Sequence, residues 1–313
     1  MVSSSAWLRG LLLAAVLALV AGGSVACGSA SGSGSSSTSA APLFQVAAAE
    51  NFWGSIAQQL AGSKATVRSV IVNPDTDPHS YQPSTGDART MAGAKFAIVN
   101  GIGYDKWASQ LLAANPVSGR TVLDVGNLLG MKEGDNAHQW YSPSSVQKVI
   151  TAITAAYDKI DPADKASFAA QKKHFETVSL KPYDQLRAQI RKRFAGVPVG
   201  YSESIFQPLG QSMGLKLLTP YSFAKAVAEG TEISAQDKQT VDSQAQHRLI
   251  KVWVYNSQNA TPDIQRINTI AKQQHIPIAT VTETLSPAAL NFEQWQVAEL
   301  RGLIKALHQA TGR

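Results

Sequence analysis

The sequence is almost without cysteine. Its 313 residues include only Cys27, so no disulfide can form within the chain. Several catalytic signatures are also absent, namely the H-E-x-x-H zinc motif, the phosphate-binding P-loop and the G-x-S-x-G nucleophile turn. The segment GIGYDKW at 101–107 contains G-x-G but lacks the rest of a dinucleotide-binding motif. These absences argue against a serine hydrolase, a P-loop nucleotide hydrolase and a dinucleotide-dependent enzyme.

The chain has few charged residues, with a small excess of positive charge. Charged residues make up 16% of the chain, and the formal net charge is +6. The densest basic group, RAQIRKRF at 187–194, lies in a stretch of helical periodicity, and no motif combines basic with aromatic residues. We therefore expect no nucleic-acid partner.

The first 42 residues are unlike the rest of the chain. Arg9 precedes an apolar run of thirteen residues, LLLAAVLALVAGG. A membrane-spanning helix needs about 20 apolar residues. The run is therefore too short to span, and it predicts a secretory signal peptide over residues 1–26. Residues 27–42 are rich in glycine and serine and carry no charge, which predicts a flexible tether.

Cys27 follows Ala26 in the small-residue segment SVAC that comes after the apolar run, an arrangement that resembles a bacterial lipoprotein cleavage site. The resemblance implies a thioether lipid on Cys27 and a protein anchored at the extracytoplasmic face of the cell membrane. Ser24 departs from the pattern, since such sites usually carry an aliphatic residue there. The alternative is ordinary signal cleavage nearby, which would leave a free thiol. An exported protein with one unpaired thiol is unusual, so we favour lipidation.

The body alternates between strand-like and helix-like segments. The strand-like segments of the first half are 44–49, 65–72, 95–101 and 121–125, and those of the second half are 197–202, 215–222, 249–256 and 276–281. Between the halves, DPAD at 161–164 predicts the start of a long helix. The pattern predicts two α/β lobes with mostly parallel sheets, at 43–160 and 196–313, joined by one long backbone helix at 161–195.

Polar residues follow several of the predicted strands, where ligands bind in open α/β sheets. The loop NPDTDPHSYQPSTGD holds His79 between Pro78 and Pro83, which stiffen the backbone on both sides. This loop suits either a ligand at fixed geometry or a surface turn whose histidine points at water. Glu203 and Glu283 also follow strands, although a lone glutamate is most often an ordinary solvated residue.

Four segments together resemble the zinc/manganese-type substrate-binding lipoproteins of bacterial metal ABC transporters. The loop motif D-P-H-x-Y-E-P appears as DPHSYQP, and AENFWGSIAQQLAG and IVNGIGYDKW match two further family segments. The family's D-P-H-x-W-x-D-P appears as NAHQWYSP, where Asn136, Ala137 and Ser142 depart from it. The resemblance covers nearly all of 44–310. It implies membership of the cluster A-I binding proteins, which include manganese-binding surface adhesins.

The resemblance also implies a set of four metal ligands between the lobes. These are His79 in DPHSYQP, His138 in NAHQWYSP, Glu203 in SESIFQPLGQSMGL and Glu283 in VTETLSP. Glutamate at the third position matches the manganese-type members, and Glu283 stands where the family usually has an aspartate. We expect neutral imidazoles to be required, so that affinity falls as pH drops through the histidine range.

Two imidazoles and two carboxylates suit Zn²⁺, Mn²⁺ or Fe²⁺ rather than soft Cu(I). Intrinsic affinity favours zinc over manganese, whereas carboxylates that bind through two oxygens favour manganese. The stretch 113–137 has no histidine, so the His-rich loop of many zinc-type members is missing. The balance favours manganese or zinc as the transported ligand, with iron as a further candidate.

The predicted function is delivery of this ion to an ABC permease and its ATPase by a monomeric, non-enzymatic lipoprotein. The alternatives are an exported metal-dependent hydrolase and a metal-binding surface adhesin. The remaining histidines are interpreted as ordinary surface or helix-end residues: His174, His247, His275 and His308. We expect Trp53, Trp107 and Trp140 to pack near the cleft, and Tyr201 and Ser202 to line the site.

Overall fold

The computed structural model describes residues 43–78 and 80–313. The predicted signal peptide, Cys27 and the tether lie outside these residues. These described residues form one compact unit. None of the helices in the described part is both long and apolar enough to cross a membrane.

The first lobe is built on a four-stranded parallel sheet in the order β2-β1-β3-β4. Its strands are β1 (Phe44–Glu50), β2 (Ala65–Ile71), β3 (Phe96–Val99) and β4 (Thr121–Asp124). Its helices are α1 (Asn51–Ala61), α2 (Thr85–Gly93), α3 (Lys106–Ala114) and α4 (Val125–Leu129). All four residues of β3 and the last five of β1 are buried. Such continuous apolar runs are typical of parallel strands that helices cover on both faces.

A helical region leads from the first lobe to the second. It contains α5 (Pro143–Ile160), α6 (Lys165–His174) and α7 (Lys181–Phe194). The linking helix predicted at 161–195 is not continuous, because a 3-10 turn at Pro162–Asp164 precedes α6 and a π-helical turn at Phe175–Ser179 separates α6 from α7. Pro182 lies in the first turn of α7, where backbone N–H groups have no partner within the helix, so the missing N–H of a proline removes no helical hydrogen bond.

The second lobe repeats the topology of the first, with a parallel sheet in the order β6-β5-β7-β8. Its strands are β5 (Pro198–Tyr201), β6 (Lys216–Leu217), β7 (Val252–Asn256) and β8 (Ile278–Val281). Its helices are α8 (Gln207–Ser212), α9 (Tyr221–Ala228), α10 (Ala235–Gln246), α11 (Pro262–Gln273) and α12 (Phe292–Thr311). The strand predicted at 215–222 was too long, because β6 ends at Leu217 and α9 begins directly after Pro220.

The two lobes share one hydrophobic core that includes Trp53, Trp140 and Trp295. Helix α12 of the second lobe also bonds to α1 of the first. The backbone N–H of Phe292 donates to Ser55 Oγ at 2.9 Å, and Gln59 Nε2 donates to Glu293 Oε2 at 2.9 Å. The fold predicted from the sequence, two α/β lobes with parallel sheets, is confirmed. The exact domain limits stay a prediction.

Candidate metal centre

The sheet order of the second lobe brings two glutamates together. Strand β7 lies between β5 and β8, Glu203 follows β5 and Glu283 follows β8. The strands on either side of β7 are roughly 10 Å apart, since neighbouring strands are separated by about 4.8 Å. Two long glutamate side chains bridge this gap above the carboxyl end of β7.

Asn256, the last residue of β7, holds both carboxylates. Its Nδ2 donates to Glu203 Oε2 at 2.9 Å and to Glu283 Oε1 at 3.0 Å, which uses both amide hydrogens. Its backbone N–H donates to Ser202 Oγ at 3.0 Å, and this is the structural role of Ser202. Sequence reasoning missed Asn256, although an asparagine at the end of the apolar strand VWVYN was a detectable signal.

His138 completes a buried cluster from the first-lobe side. Its Nε2 lies 3.6 Å from Glu203 Oε1 and 3.5 Å from Glu283 Oε2. One ligand atom from each of the three residues lies within 4.8 Å of the others. The relative exposures are 2% for His138, 1% for Glu203 and 8% for Glu283. Three of the four predicted ligand positions therefore meet at one point between the lobes.

Asn136 fixes the orientation of the His138 ring. Its Oδ1 lies 2.9 Å from His138 Nδ1 and accepts from the backbone N–H of His138 at 3.0 Å. Its Nδ2 donates to the backbone oxygen of Ser204 at 2.8 Å. An amide oxygen accepts only, so Nδ1 carries the proton and Nε2 presents its lone pair to the carboxylates. Although Asn136 departs from the family motif, it holds the His138 ring in a fixed orientation.

Tyr104 of the first lobe supplies a further hydrogen bond to the cluster. Tyr104 Oη donates to Glu283 Oε2 at 2.8 Å, and Tyr104 itself is buried. Sequence reasoning quoted the segment IVNGIGYDKW but assigned no role to this tyrosine. The backbone of the same segment is held by Asp105, which accepts from the N–H groups of Asn100 at 2.6 Å and Gly101 at 2.8 Å.

Aromatic side chains form an apolar wall next to His138. Trp140 stacks on Phe52 with 3.9 Å between ring centroids, and its ring lies 5.2 Å from the imidazole. Trp53 Nε1 donates to Asn100 Oδ1 at 3.0 Å, and Asn100 Nδ2 donates to the carbonyl oxygen of Ala137 at 3.0 Å. Trp53 and Trp140, two of the tryptophans predicted to pack near the cleft, therefore also support the segment that carries His138.

Burial controls the charges in this cluster. It lowers the pKa of His138 to about 4, so the imidazole is neutral near pH 7. Burial raises the pKa of Glu203 well above its usual range, and the neighbouring Glu283 raises it further. Burial also raises the pKa of Glu283. Within the described residues, His138 Nε2 and Glu203 Oε1 have no hydrogen-bond partner. A cation bound at these atoms would compensate the buried carboxylates.

His79 lies outside the described residues. The segment that precedes it, 74–78, lines a cavity of about 250 Å³ together with Glu283. Beyond it, Ser80 Oγ donates to Asp77 Oδ2 at 2.8 Å, and Tyr81 Oη donates to Asp87 Oδ2 at 2.8 Å. A second cavity of about 260 Å³ reaches His138. Ala228 and Glu229, at the end of α9, form part of the wall of both cavities.

The other predicted residues lie away from the cluster. His308 Nε2 is 3.2 Å from Arg193 Nη1, and His247 Nδ1 is 3.0 Å from the carbonyl oxygen of Ser243. Neither His174 nor His275 belongs to a metal-ligand group in the part of the chain that the structure covers. Tyr201 is buried in the core, where its N–H donates to Thr219 Oγ1 at 2.8 Å.

A pair of parallel α/β lobes with a buried cluster of one imidazole and two carboxylates between them defines a metal-binding protein of the substrate-binding class. The chain belongs to the family of the periplasmic zinc-uptake complex component A, ZnuA, whose profile matches residues 46–306. The family expected from the sequence motifs is confirmed. This family consists of extracytoplasmic binding components of metal transporters.

One curated relative is the iron-binding protein YfeA of Yersinia pestis. It is 28% identical over 172 residues, which are 51% of this chain and 54% of YfeA. The chain thus matches about half the length of this relative.

Solved structures with the same fold include a periplasmic metal-binding protein from Candidatus Liberibacter asiaticus. The Mn-bound form of that protein has a TM-score of 0.70 at 19% identity, with 84% of this chain and 99% of the other covered. Its Cd-bound form has a TM-score of 0.69 at 18% identity, with the same coverage. A crystal structure of ZnuA has a TM-score of 0.67 at 17% identity, with 85% of this chain and 99% of the other covered.

Proposed function

We propose that this protein captures a divalent transition-metal ion through His79, His138, Glu203 and Glu283 and delivers it to an ABC permease and its ATPase. The observation that carries the proposal is the unpartnered Nε2 of His138, which lies 3.5–3.6 Å from an oxygen of each glutamate. A cation between these three atoms would satisfy all of them. His79 follows directly on the cavity-lining segment 74–78, which supports it as the fourth ligand.

The charge balance of this ligand set suits a divalent ion. Two neutral imidazoles and two carboxylates leave the site neutral once the ion is bound. Without the ion, the buried carboxylates are costly as anions, and the raised pKa of Glu203 reflects this cost. Loading near neutral pH therefore releases a proton from the glutamates rather than from His138, whose pKa burial lowers to about 4.

The structure adds one argument about which ion is held more tightly. Asn256 donates to one oxygen of each glutamate, so the opposite oxygens, Glu203 Oε1 and Glu283 Oε2, face His138. Binding through one oxygen each gives a four-coordinate site, which suits Zn²⁺. The two-carboxylate composition itself suits Mn²⁺. Direct competition between the two ions decides which is carried.

Transport rather than catalysis fits the site. Four protein ligands leave no reserved position for a reacting water, in contrast to the three-ligand sites of catalytic zinc. The hydrogen bonds between the lobes, such as that of Tyr104 to Glu283 and that of the Leu285 N–H to Asn51 Oδ1 at 3.3 Å, support a modest movement on release. We further propose that lipidated Cys27 anchors the protein, as a monomer, at the extracytoplasmic face of the membrane.

The test is the metal content of residues 43–313, followed by thermal-shift competition between Mn²⁺ and Zn²⁺. We expect one ion per chain and a stabilisation that His138→Ala removes. His247→Ala, at an exposed helix end, is the matched control and should keep it. Absence of stabilisation by any divalent ion would overturn the proposal, and metal-dependent hydrolysis of esters or phosphodiesters would favour the hydrolase instead.

A further inference from the structure

A partly buried hydrogen-bond network on the far side of the cluster centres on Glu299 of α12. Its Oε2 lies 2.6 Å from Tyr141 Oη, and its Oε1 accepts from the backbone N–H of Thr282 at 2.9 Å. Tyr141 ends the short helical turn Gln139–Tyr141 that follows His138, and Thr282 immediately precedes Glu283. One carboxyl group thus connects the two segments that carry candidate ligands from different lobes.

We propose that Glu299 is a positioning residue for the metal site, which sets the separation between His138 and Glu283 through its bonds to Tyr141 and Thr282. This inference rests on the proposed function. His138 Nε2 and Glu283 Oε2 are 3.5 Å apart. Glu299 bonds to Tyr141, three residues after His138, and to Thr282, one residue before Glu283. A shift of either segment therefore changes the space between the two ligand atoms.

The hydrogen-bond inventory is compatible with Glu299 as a neutral acid. Tyr141 Oη donates its single hydrogen either to Glu299 Oε2 at 2.6 Å or to the carbonyl oxygen of Thr282 at 2.9 Å. When the hydrogen goes to Thr282, a proton on the carboxyl group makes the 2.6 Å bond to Tyr141 Oη. Trp295 Nε1 donates to Thr282 Oγ1 at 2.8 Å, and Thr282 Oγ1 donates to the carbonyl oxygen of Thr284 at 2.9 Å. With the proton on Glu299, every donor in the network has an acceptor.

The surroundings of Glu299 agree with a neutral group. Burial raises its pKa to about 8, and the titratable groups near it include Tyr141 and, in α7, Tyr183, whose pKa values burial also raises. Glutamine has the shape of a neutral glutamic acid, with one oxygen that accepts and an amide that donates. Glu299→Gln should therefore preserve the network, whereas Glu299→Ala removes it.

The experiment measures the dissociation constant for Zn²⁺ by chelator competition in wild-type protein, Glu299→Gln, Glu299→Ala and Glu293→Ala. Glu293 is the matched control, since it lies on the same helix and bonds to Gln59 rather than to either ligand segment. We expect Glu299→Ala to weaken zinc binding roughly 10–100-fold, the usual effect of losing a group that orients a ligand. Glu299→Gln and Glu293→Ala should stay within about threefold of wild type, well below that effect.

A folded Glu299→Ala variant with wild-type affinity would overturn the inference, and so would a Glu299→Gln variant as weak as Glu299→Ala. If Glu299→Ala does not fold, Tyr141→Phe removes the same link with less loss of volume and should weaken binding in the same direction. Wild-type affinity in folded Tyr141→Phe would then overturn the inference. Failure of the wild-type protein to bind zinc or manganese would instead refute the proposed function.

Discussion

Tyr104 of the first lobe donates a 2.8 Å hydrogen bond to Glu283 of the second lobe, and the accepting oxygen is the one that faces His138. The contact spans 179 positions of sequence. It makes one candidate ligand part of the contact between the lobes. Movement of the lobes apart would therefore disturb the site, which gives a physical route from opening to ion release.

Tyr104→Phe should speed metal release. The variant keeps the ring that packs near His138 and removes only the hydroxyl group that holds Glu283. We expect the dissociation rate, measured by stopped-flow with excess chelator, to rise about tenfold. Tyr183→Phe is the matched control, because its buried hydroxyl group has no partner in the described part of the chain. An unchanged rate in Tyr104→Phe would show that this bond does not retain the ion.

His79→Ala should abolish tight binding and leave the fold intact. The position follows a proline-rich loop segment that lines the cavity at Glu283, and the residue is proposed as a direct ligand. The affinity should fall by more than the roughly 10–100-fold typical of a group that only orients a ligand. Circular dichroism checks the fold, and His247→Ala controls for histidine removal. Retained affinity in His79→Ala would remove this residue from the ligand set.

Asn256→Ala should change metal preference as well as affinity. It removes the Asn256 hydrogen bond from one oxygen of each of Glu203 and Glu283 and leaves Glu203 Oε2 with only the 3.4 Å bond from Asn259 Nδ2, which favours binding of the carboxylates through two oxygens. We expect zinc affinity to fall roughly 10–100-fold and the ratio of manganese to zinc affinity to rise. Competition titrations measure this ratio. Asn268→Ala is the control, since it removes a buried asparagine that bonds to Trp253 in the same lobe. An equal loss for both ions would contradict the role in selectivity.

Titration of Glu299 should lower the stability of the metal-free protein as pH rises from about 4.5 to about 8. Burial raises the folded-state pKa of Glu299 from 4.5 to about 8. Its contribution is therefore complete below the unfolded value and disappears as pH passes the folded value. Urea unfolding at several pH values measures this slope, which should be smaller in Glu299→Gln. An identical slope in that variant would mean that Glu299 does not titrate on unfolding.

Titration of His138 should change the stability in the opposite direction, lowering it as pH falls from 6.5 towards about 4. Burial lowers its pKa from 6.5 to about 4, so its contribution is complete above 6.5 and is lost as pH falls towards 4. This shift also changes the expectation from sequence that histidine titration controls metal affinity near neutral pH. With His138 already neutral there, the raised pKa of Glu203 adds a second group whose proton competes with the metal ion.

Cys27→Ala should release the protein from the membrane fraction into the soluble fraction. A thioether lipid requires the cysteine sulfur, and the chain has no other cysteine. Cell fractionation with immunoblotting measures the distribution. Ser29→Ala, two residues along, controls for a change in the tether and should stay with the membrane. Membrane retention of Cys27→Ala would count against lipidation at this residue.

Local patterns in the sequence were sufficient for much of the fold and for the candidate ligands. Alternation of apolar strands with helical periodicity predicted both lobes, because burial on both faces of a parallel sheet leaves continuous apolar runs. The strand at 215–222 was misjudged, because Pro220 marks the start of α9 rather than the interior of a strand. Resemblance to the family motifs indicated His138, Glu203 and Glu283, and the structure brings these three together.

The sequence by itself therefore determined the class of fold, the family and the residue types available to a metal ion. Only the tertiary structure decided how those residues are held. Asn256 reaches two glutamates because β7 lies between β5 and β8, and Tyr104 reaches Glu283 because the lobes face each other. Such partners are 27 to 179 positions apart, and no local pattern records them. Hydrogen bonding and burial depend on distances in space, so the charges and orientations of the site follow from the packed chain.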